Sequence, residues 1–372
     1  MSTIFETLPP AAFWRPAVAE AAVADAGGAG TIDLSGLFQP KFPVTRDSAV
    51  ATAGSCFAQH VGHALRGAGL NVLDVEPAPP GLDPSTARSF GFNLYSARYG
   101  NIYTAAQMRQ LLQDSLGQTL HPNTIWTRDG RHYDALRPSV EPTGCDSPDE
   151  VMALRRFHLT RVQDLFIRCA LFVFTLGMTE SWVDAATGTV FPTAPGVLAD
   201  PAAGHQIGFH NFGFAQVLAD LHAIRDLLHR YNPATRMILT VSPVPLTATA
   251  SGRHVLTATT ASKAVLRAAV DEFARDLPDV DYVPSYEIIN HPAARGRFFA
   301  ANLRSVTQDG VDLVMRHFLA AHLLAPLPLS PETHINTEPD PASPDSASPD
   351  SASPDSASEL ICEEALAEAF RR

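Results

Sequence analysis

The segment Ala53-Gly54-Ser55-Cys56-Phe57-Ala58 brings together the residue types of a nucleophilic site. A small apolar run, 49–53, precedes Gly54, and apolar residues at helical spacing follow over 56–69, which predicts a strand, a tight turn and a helix. A hydroxyl at such a turn lies beside the N–H groups and positive dipole end of the helix, which can stabilise an oxyanion. Ser55 is therefore a candidate nucleophile. A second interpretation, that Ser55 only caps the helix, stays open.

Cys56 is a second candidate nucleophile, because a thiol at a helix N-terminus has a lowered pKa and needs less help from a base. The alternative is a small buried side chain that faces the sheet. The four cysteines show no CxxC spacing, which is typical of free thiols in a reducing compartment. Only His60 and His63 are closely spaced, as on a polar helix face, and no GxGxxG follows a strand. We therefore expect neither a metal nor a cofactor.

The elements that must position this turn alternate along the chain. The buried strands are predicted by short, continuous apolar runs and the helices by apolar residues at a period of 3.6. This alternation predicts an α/β protein with a parallel sheet covered on both faces. After the first strand and helix, the predicted strands are 71–75, 169–176, 237–242 and 280–283, and the predicted helices are 214–231, 261–277 and 309–324.

The charge and the hydropathy of the chain limit the kinds of partner that the sequence predicts. The net charge of -12, from 27 basic and 39 acidic residues in a chain of 372, argues against binding to a phosphate backbone, so no nucleic-acid partner is predicted. From residue 331 onward ten acidic residues accompany two basic ones, so most of the charge belongs to the tail. No basic segment followed by an apolar one begins the chain, and no 18-residue apolar run occurs. We expect a cytoplasmic protein without a membrane partner.

Composition divides the chain into four parts. We expect residues 1–47 to wrap around a catalytic domain at 48–329. Residues 330–358 contain Ser-Pro-Asp-Ser-Ala three times in a row, a composition that predicts a disordered acidic linker. The last part, 359–372, has one apolar and one acidic side at helical spacing, as in a short amphipathic helix. Such a helix either docks on a partner protein or forms a frayed tail.

Gly54-Ser55-Cys56-Phe57-Ala58 is also the pentapeptide after which the GSCFA family is named, and the chain resembles that family. Proteins of this family are similar to the SGNH or GDSL hydrolases, whose fold is a flavodoxin-like three-layer α/β/α arrangement around a parallel sheet. The resemblance implies an acyl-ester hydrolase or O-acyltransferase that acts on an acylated small molecule or carbohydrate through Ser55. Further similar stretches follow in the same order at 96–104, 174–182, 239–246, 262–263 and 282–288.

The SGNH pattern carries over to the oxyanion site only in part. Ser55 occupies the position of the nucleophile, whose own N–H group also binds the oxyanion. The resemblance implies Gly100 as a second backbone donor. Gly177-Met178-Thr179-Glu180 stands where Gly-x-Asn-Asp/Glu is expected, so the hydroxyl of Thr179 replaces an amide donor. Asn101 is the alternative side-chain donor.

The sequence differs most from the SGNH pattern at the position of the general base. Asn302-Leu303-Arg304-Ser305 stands in place of the expected Asp-x-x-His, so both side chains of the usual base are missing there. His254, in a loop at the carboxyl edge of a predicted strand, is the preferred base, with Glu180 to orient it. His291, near two arginines, is an alternative, and a site without a histidine base also stays open.

Two other functions therefore compete with the hydrolase. One is a catalytically degenerate protein that binds an acylated or glycan ligand without turnover. The other is a coenzyme-A-dependent acetyltransferase, in which Ser55 only binds the oxyanion.

Overall fold

A computed structural model describes residues 4–20, 36–117 and 120–322. Of the predicted N-terminal wrap, residues 4–20 contain three short helical turns, Ile4–Glu6, Pro10–Ala12 and Arg15–Glu20. The predicted linker and terminal amphipathic helix lie outside the described residues. The division of the chain into four parts stays a prediction.

The described residues alternate between strands and helices. The strands are β1 (Val50–Gly54), β2 (Ile125–Arg128), β3 (Arg131–Asp134), β4 (Leu171–Leu176), β5 (Glu180–Asp184), β6 (Val190–Phe191), β7 (Ile207–Asn211), β8 (Arg236–Val241) and β9 (Val280–Tyr282). The helices are α1 (Phe57–Gly67), α2 (Pro84–Ser89), α3 (Ala105–Ser115), α4 (Pro148–Arg168), α5 (Phe214–Tyr231), α6 (Val255–Ala274), α7 (Ser285–Asn290) and α8 (Gln308–His322).

The central sheet has the order β1-β4-β8-β9, and every neighbouring pair is parallel. On the free side of β1, Val72 forms a single parallel bridge with Val50. The chain thus leaves β1 to one side, at Val72, and then crosses to β4 on the other. Parallel α/β sheets bind ligands at such a switch point, outside the carboxyl ends of the strands. Ser55 follows β1 at this place.

The helices form a layer on each face of this sheet, as the prediction of a three-layer α/β fold requires. One apolar core joins alternate sheet residues such as Ala53, Phe174 and Leu239 to helices α3, α4, α5 and α6. A second core lies on the opposite face, where Val50, Val173 and the neighbouring strands contact α1, α7 and α8. The architecture is that of a flavodoxin-like fold.

Several elements outside the central sheet were not predicted from the sequence, namely β2, β3, β5, β6, β7, α2, α3 and α7. Three further elements differ from expectation. The predicted strand 71–75 is only the bridge at Val72, because its neighbours form no further ladder bonds. Helix α6 begins at Val255 instead of residue 261, and its first turn is largely exposed. Helix α4, with 21 residues, was not predicted.

Helix α4 escaped prediction because charged residues interrupt its apolar pattern. Arg155 and His158 are both buried in it. Arg155 is paired with Asp114 and Asp134, and the Nδ1 atom of His158 lies 2.7 Å from a carboxylate oxygen of Glu76. Polar side chains that have such buried partners can lie on the inner face of a helix in place of apolar ones.

Candidate active site

The turn that carries Ser55 is fixed by close contact between β1 and β4. Gly54 has a φ of +146°, and a Cβ atom built there would lie 2.4 Å from the carbonyl oxygen of Thr175. Only glycine allows this approach. The Ser55 N–H group donates to the same Thr175 oxygen at 3.1 Å. The backbone of the serine is therefore held by the sheet, at the carboxyl end of β1.

The Ser55 hydroxyl is buried and free. Its residue is 3% exposed, and its Oγ atom has no hydrogen-bond partner among the described residues. Cys56 occupies the N-cap position of α1, and no side chain caps that helix. The interpretation of Ser55 as a helix cap is therefore wrong. A buried polar group without a partner in a native fold calls for an explanation, and a role in catalysis is one.

The pocket in front of Ser55 is built by the segments that follow three adjacent strands. Ser55 and Cys56 come after β1, Gly177 and Met178 after β4, and 242–246 after β8, with Tyr103 as a further wall. The cavity measures about 10 Å³, which is space for one water molecule. An acyl group can enter only if a wall moves.

Gly177 forms the wall closest to the serine. A Cβ atom at this position would lie 2.8 Å from Ser55 Cβ and 3.2 Å from the carbonyl oxygen of Tyr103. The N–H groups of Gly177 and Met178 both donate to that Tyr103 oxygen, at 2.8 and 3.2 Å. Both N–H groups are therefore occupied by one carbonyl oxygen, which holds the Gly177–Met178 peptide against Ser55.

The predicted oxyanion donors are placed near the site but have partners within the protein. The Ser55 N–H donates to Thr175, as described above. Both the N–H and the hydroxyl of Thr179 donate to Ser262 Oγ, at 2.9 and 3.1 Å. The Oδ1 atom of Asn101 accepts from Tyr95 and Gln59, at 2.5 and 3.1 Å.

Gly100, the other predicted donor, is buried with a φ of +68°. The carboxyl end of this loop is close to the nucleophile, because the N–H of Ile102 donates to the carbonyl of Gly54 at 2.9 Å. The Tyr95 hydroxyl donates to the Ser55 carbonyl at 3.0 Å as well as to Asn101. The assignment of Ser55, Gly100, Asn101 and Thr179 as oxyanion donors stays a prediction.

Neither predicted histidine is hydrogen-bonded to Ser55. His254 is exposed at the N-cap of α6, and its Nδ1 atom accepts the Leu256 N–H at 3.2 Å. His291 caps the short turn Pro292–Ala294 through its Nδ1 atom, and its buried Nε2 atom has no partner among the described residues. Burial, together with the charge of Arg297, lowers the pKa of His291 and favours the neutral ring.

Glu180 begins β5 and accepts a hydrogen bond from Thr249 at 2.7 Å. Thr249 belongs to the loop that runs from the pocket wall at 242–246 to His254. Glu180 is thus connected to the loop that carries His254, although the structure shows no bond between the two. The roles of base and orienting acid stay predictions.

The turn that replaces Asp-x-x-His lies just before α8, as the sequence indicated. Asn302 Oδ1 accepts the N–H groups of Arg304 and Ser305, and the Asn302 amide donates to Ser305 Oγ at 3.0 Å. These bonds close a local turn. The segment supplies no imidazole and no carboxylate to the serine.

Lys263 and Ser262 are site residues that sequence reasoning missed as such. Both lie on the buried face of α6, and both contact the segment that follows β4. The signal was present, since Lys263, Leu266 and Val270 are spaced as one face of a helix and the last two are apolar. A lysine at a core position of an amphipathic helix marks an unusual site.

Cys56 lines the same pocket as Ser55 but also belongs to the apolar core between α1 and the sheet. Within residues 4–20, 36–117 and 120–322, no three His, Cys, Asp or Glu side chains are grouped so as to hold a metal ion. In the same part of the chain, no helix combines the length and apolar character that crossing a bilayer requires.

This protein is thus a flavodoxin-like three-layer α/β protein with an unengaged serine hydroxyl at the switch point of its sheet. Comparison with known families shows to which family it belongs. The GSCFA family profile matches residues 49–318, which include the whole central sheet, and the chain belongs to the GSCFA family. A comparison with curated proteins found no match.

Proposed function

We propose that this GSCFA protein is a serine acyl hydrolase or O-acyltransferase, with an acylated small molecule or carbohydrate as its substrate. The observation that carries the proposal is the buried Ser55 hydroxyl, which has no hydrogen-bond partner among the described residues and faces a pocket at the switch point of the sheet. The Ser55 side chain also makes no capping bond to α1, which leaves its hydroxyl open to a substrate.

The chemistry is acyl transfer in two steps. Ser55 Oγ bonds to the acyl carbon while its proton passes to a base, and the alcohol leaves with a proton. Water or a second alcohol then attacks the acyl-enzyme and restores the serine. The negative oxygen of each tetrahedral intermediate would bind at the N-terminus of α1.

His254 is the proposed base. It lies at the end of the 242–254 loop, whose first residues form a wall of the serine pocket. Since the pocket must open for a substrate, a movement of this loop both admits the acyl group and brings the imidazole toward Ser55. Its Nε2 atom is the available proton acceptor, because Nδ1 caps α6.

Labelling with a serine-reactive alkyl phosphonate, followed by peptide mass spectrometry, tests the proposal together with hydrolysis of short-chain aryl esters. We expect phosphonate on Ser55, and loss of both labelling and turnover in Ser55→Ala. Ser89→Ala is the control, because Ser89 is exposed on α2 and its hydroxyl donates to the Thr86 carbonyl at 2.8 Å, away from the pocket. It should label at the wild-type rate.

Other outcomes would select another function. Labelling at Cys56 in place of Ser55 would indicate a thiol mechanism. A wild-type protein that neither labels nor hydrolyses, yet is stabilised thermally by acetyl-coenzyme A, would favour direct acetyl transfer. Stabilisation by an acylated sugar without turnover would indicate a ligand-binding protein. Each of these results would refute the serine hydrolase.

A further inference from the structure

Lys263 is a buried lysine directly behind the candidate site. The chain contains only two lysines, Lys41 and Lys263, beside 25 arginines. Lys263 is 1% exposed and is among the largest fully buried side chains of the described residues. Its Nζ atom donates to the carbonyl oxygen of Gly177 at 2.5 Å. Burying an amino group costs free energy unless polar contacts offset the loss of water, so its position calls for a role.

Helix α6 holds both ends of the three-residue segment after β4. Lys263 binds the carbonyl of Gly177, and the neighbouring Ser262 accepts from the N–H and the hydroxyl of Thr179. From the other side, the carbonyl of Tyr103 accepts the N–H groups of Gly177 and Met178. The segment is therefore fixed on two sides, and Lys263 supplies the contact at its first peptide.

The contact from Lys263 reaches the reaction site through a single peptide group. The Gly177 carbonyl that it binds and the Met178 N–H that donates to the Tyr103 carbonyl belong to the same peptide unit. A hydrogen bond to a peptide oxygen polarises that unit and strengthens its N–H as a donor, so the contact from Lys263 also strengthens the bond from Met178 to Tyr103. Gly177 is the wall in closest contact with Ser55, and the two bonds together fix its place.

We propose that Lys263 is a positioning residue for acyl transfer at Ser55. It holds the Gly177–Met178 peptide against the serine from one side, while the Tyr103 carbonyl holds it from the other. This inference rests on the proposed function. It assigns Lys263 no direct contact with the substrate, because the serine pocket is lined by other residues.

Lys41 offers a matched control, because it contacts the other end of the same helix. Its Nζ atom donates to the carbonyls of Ala274 and Leu277, at the far end of α6 from Ser262 and Lys263. Lys41→Met and Lys263→Met therefore both remove a lysine–carbonyl contact at α6. Only Lys263→Met removes one that touches the wall of the serine pocket.

The first test is the rate of Ser55 phosphonylation in the full chain. We expect Lys263→Met to slow labelling about 100-fold, the effect of misplacing a site by about 1 Å, because the peptide that packs against Ser55 loses one of its two supports. Lys41→Met should keep the wild-type rate within about twofold, since surface changes away from a site rarely affect it. If Lys263→Met labels as fast as wild type while Ser55→Ala does not label, the inference is wrong and the serine hydrolase stands. If wild type itself does not label, both fall together.

A second measurement does not depend on a Lys263 variant that folds. With only two lysines, a lysine-labelled sample gives two side-chain NMR signals, which Lys41→Met assigns. On phosphonylation of Ser55, the signal of Lys263 should shift, because the peptide that Lys263 binds packs against the modified serine. The signal of Lys41 should not. An unchanged Lys263 signal in a fully phosphonylated sample would overturn the inference.

Discussion

Replacing Gly177 by alanine tests how tightly the wall of the pocket is packed against Ser55. The added Cβ would lie 2.8 Å from Ser55 Cβ, 3.2 Å from the Tyr103 carbonyl oxygen and 3.3 Å from its ring. Carbon atoms in contact normally stay about 3.5–4.0 Å apart. The Ser55 atom cannot move aside cheaply, because the serine backbone is hydrogen-bonded to Thr175. Overpacking of this kind costs about 1–3 kcal/mol.

Urea unfolding and phosphonate labelling measure the two consequences. The free energy of unfolding should fall by about 1–3 kcal/mol. Labelling of the folded fraction should slow as well, because the added methyl group displaces the Ser55 side chain. Gly67→Ala is the control, since Gly67 ends α1 and an added Cβ would meet nothing within 4 Å. It should be neutral or slightly stabilising. A Gly177→Ala protein with wild-type stability and labelling rate would refute this account of the site.

Two further predictions concern buried titrating groups. Burial, with the charge of Arg137, lowers the pKa of His158 to about 4. The folded protein therefore keeps the ring neutral, while the ring in the unfolded chain binds a proton once the pH falls below the ordinary histidine pKa. The stability from His158 is complete above about pH 6.5 and is lost as the pH falls to about 4, in total about 3 kcal/mol. The free energy of unfolding, measured with urea from pH 7 to 4, should show this loss. It should depend less on pH in His158→Asn, whose amide can still donate to Glu76. An equal pH dependence in the variant and the wild type would contradict the assignment. Burial raises the pKa of Cys169 to about 12, so iodoacetamide at pH 8 should modify this thiol only on unfolding. Rapid modification in native buffer, followed by mass spectrometry, would contradict its burial.

The sequence determined the local geometry around Ser55. A small apolar strand, a glycine and an amphipathic helix are patterns within some twenty residues of one another, and their periods reflect backbone geometry alone. For that reason β1, the turn and α1 could be predicted together with the parallel class of the sheet. Strands β4 and β8 could be predicted equally well, because a strand buried on both faces is apolar throughout.

The tertiary structure alone decided what surrounds the serine. Ser55, Gly177 and Ser242 are far apart in sequence, and they meet because adjacent parallel strands end at the same edge of the sheet. Whether Ser55 caps α1 or keeps a free hydroxyl depends on a rotation of one side chain, which no residue pattern encodes. The burial of Lys263 likewise depends on how α6 packs on the segment after β4. Spacing along the chain fixes the elements, and packing between elements distant in sequence makes the site.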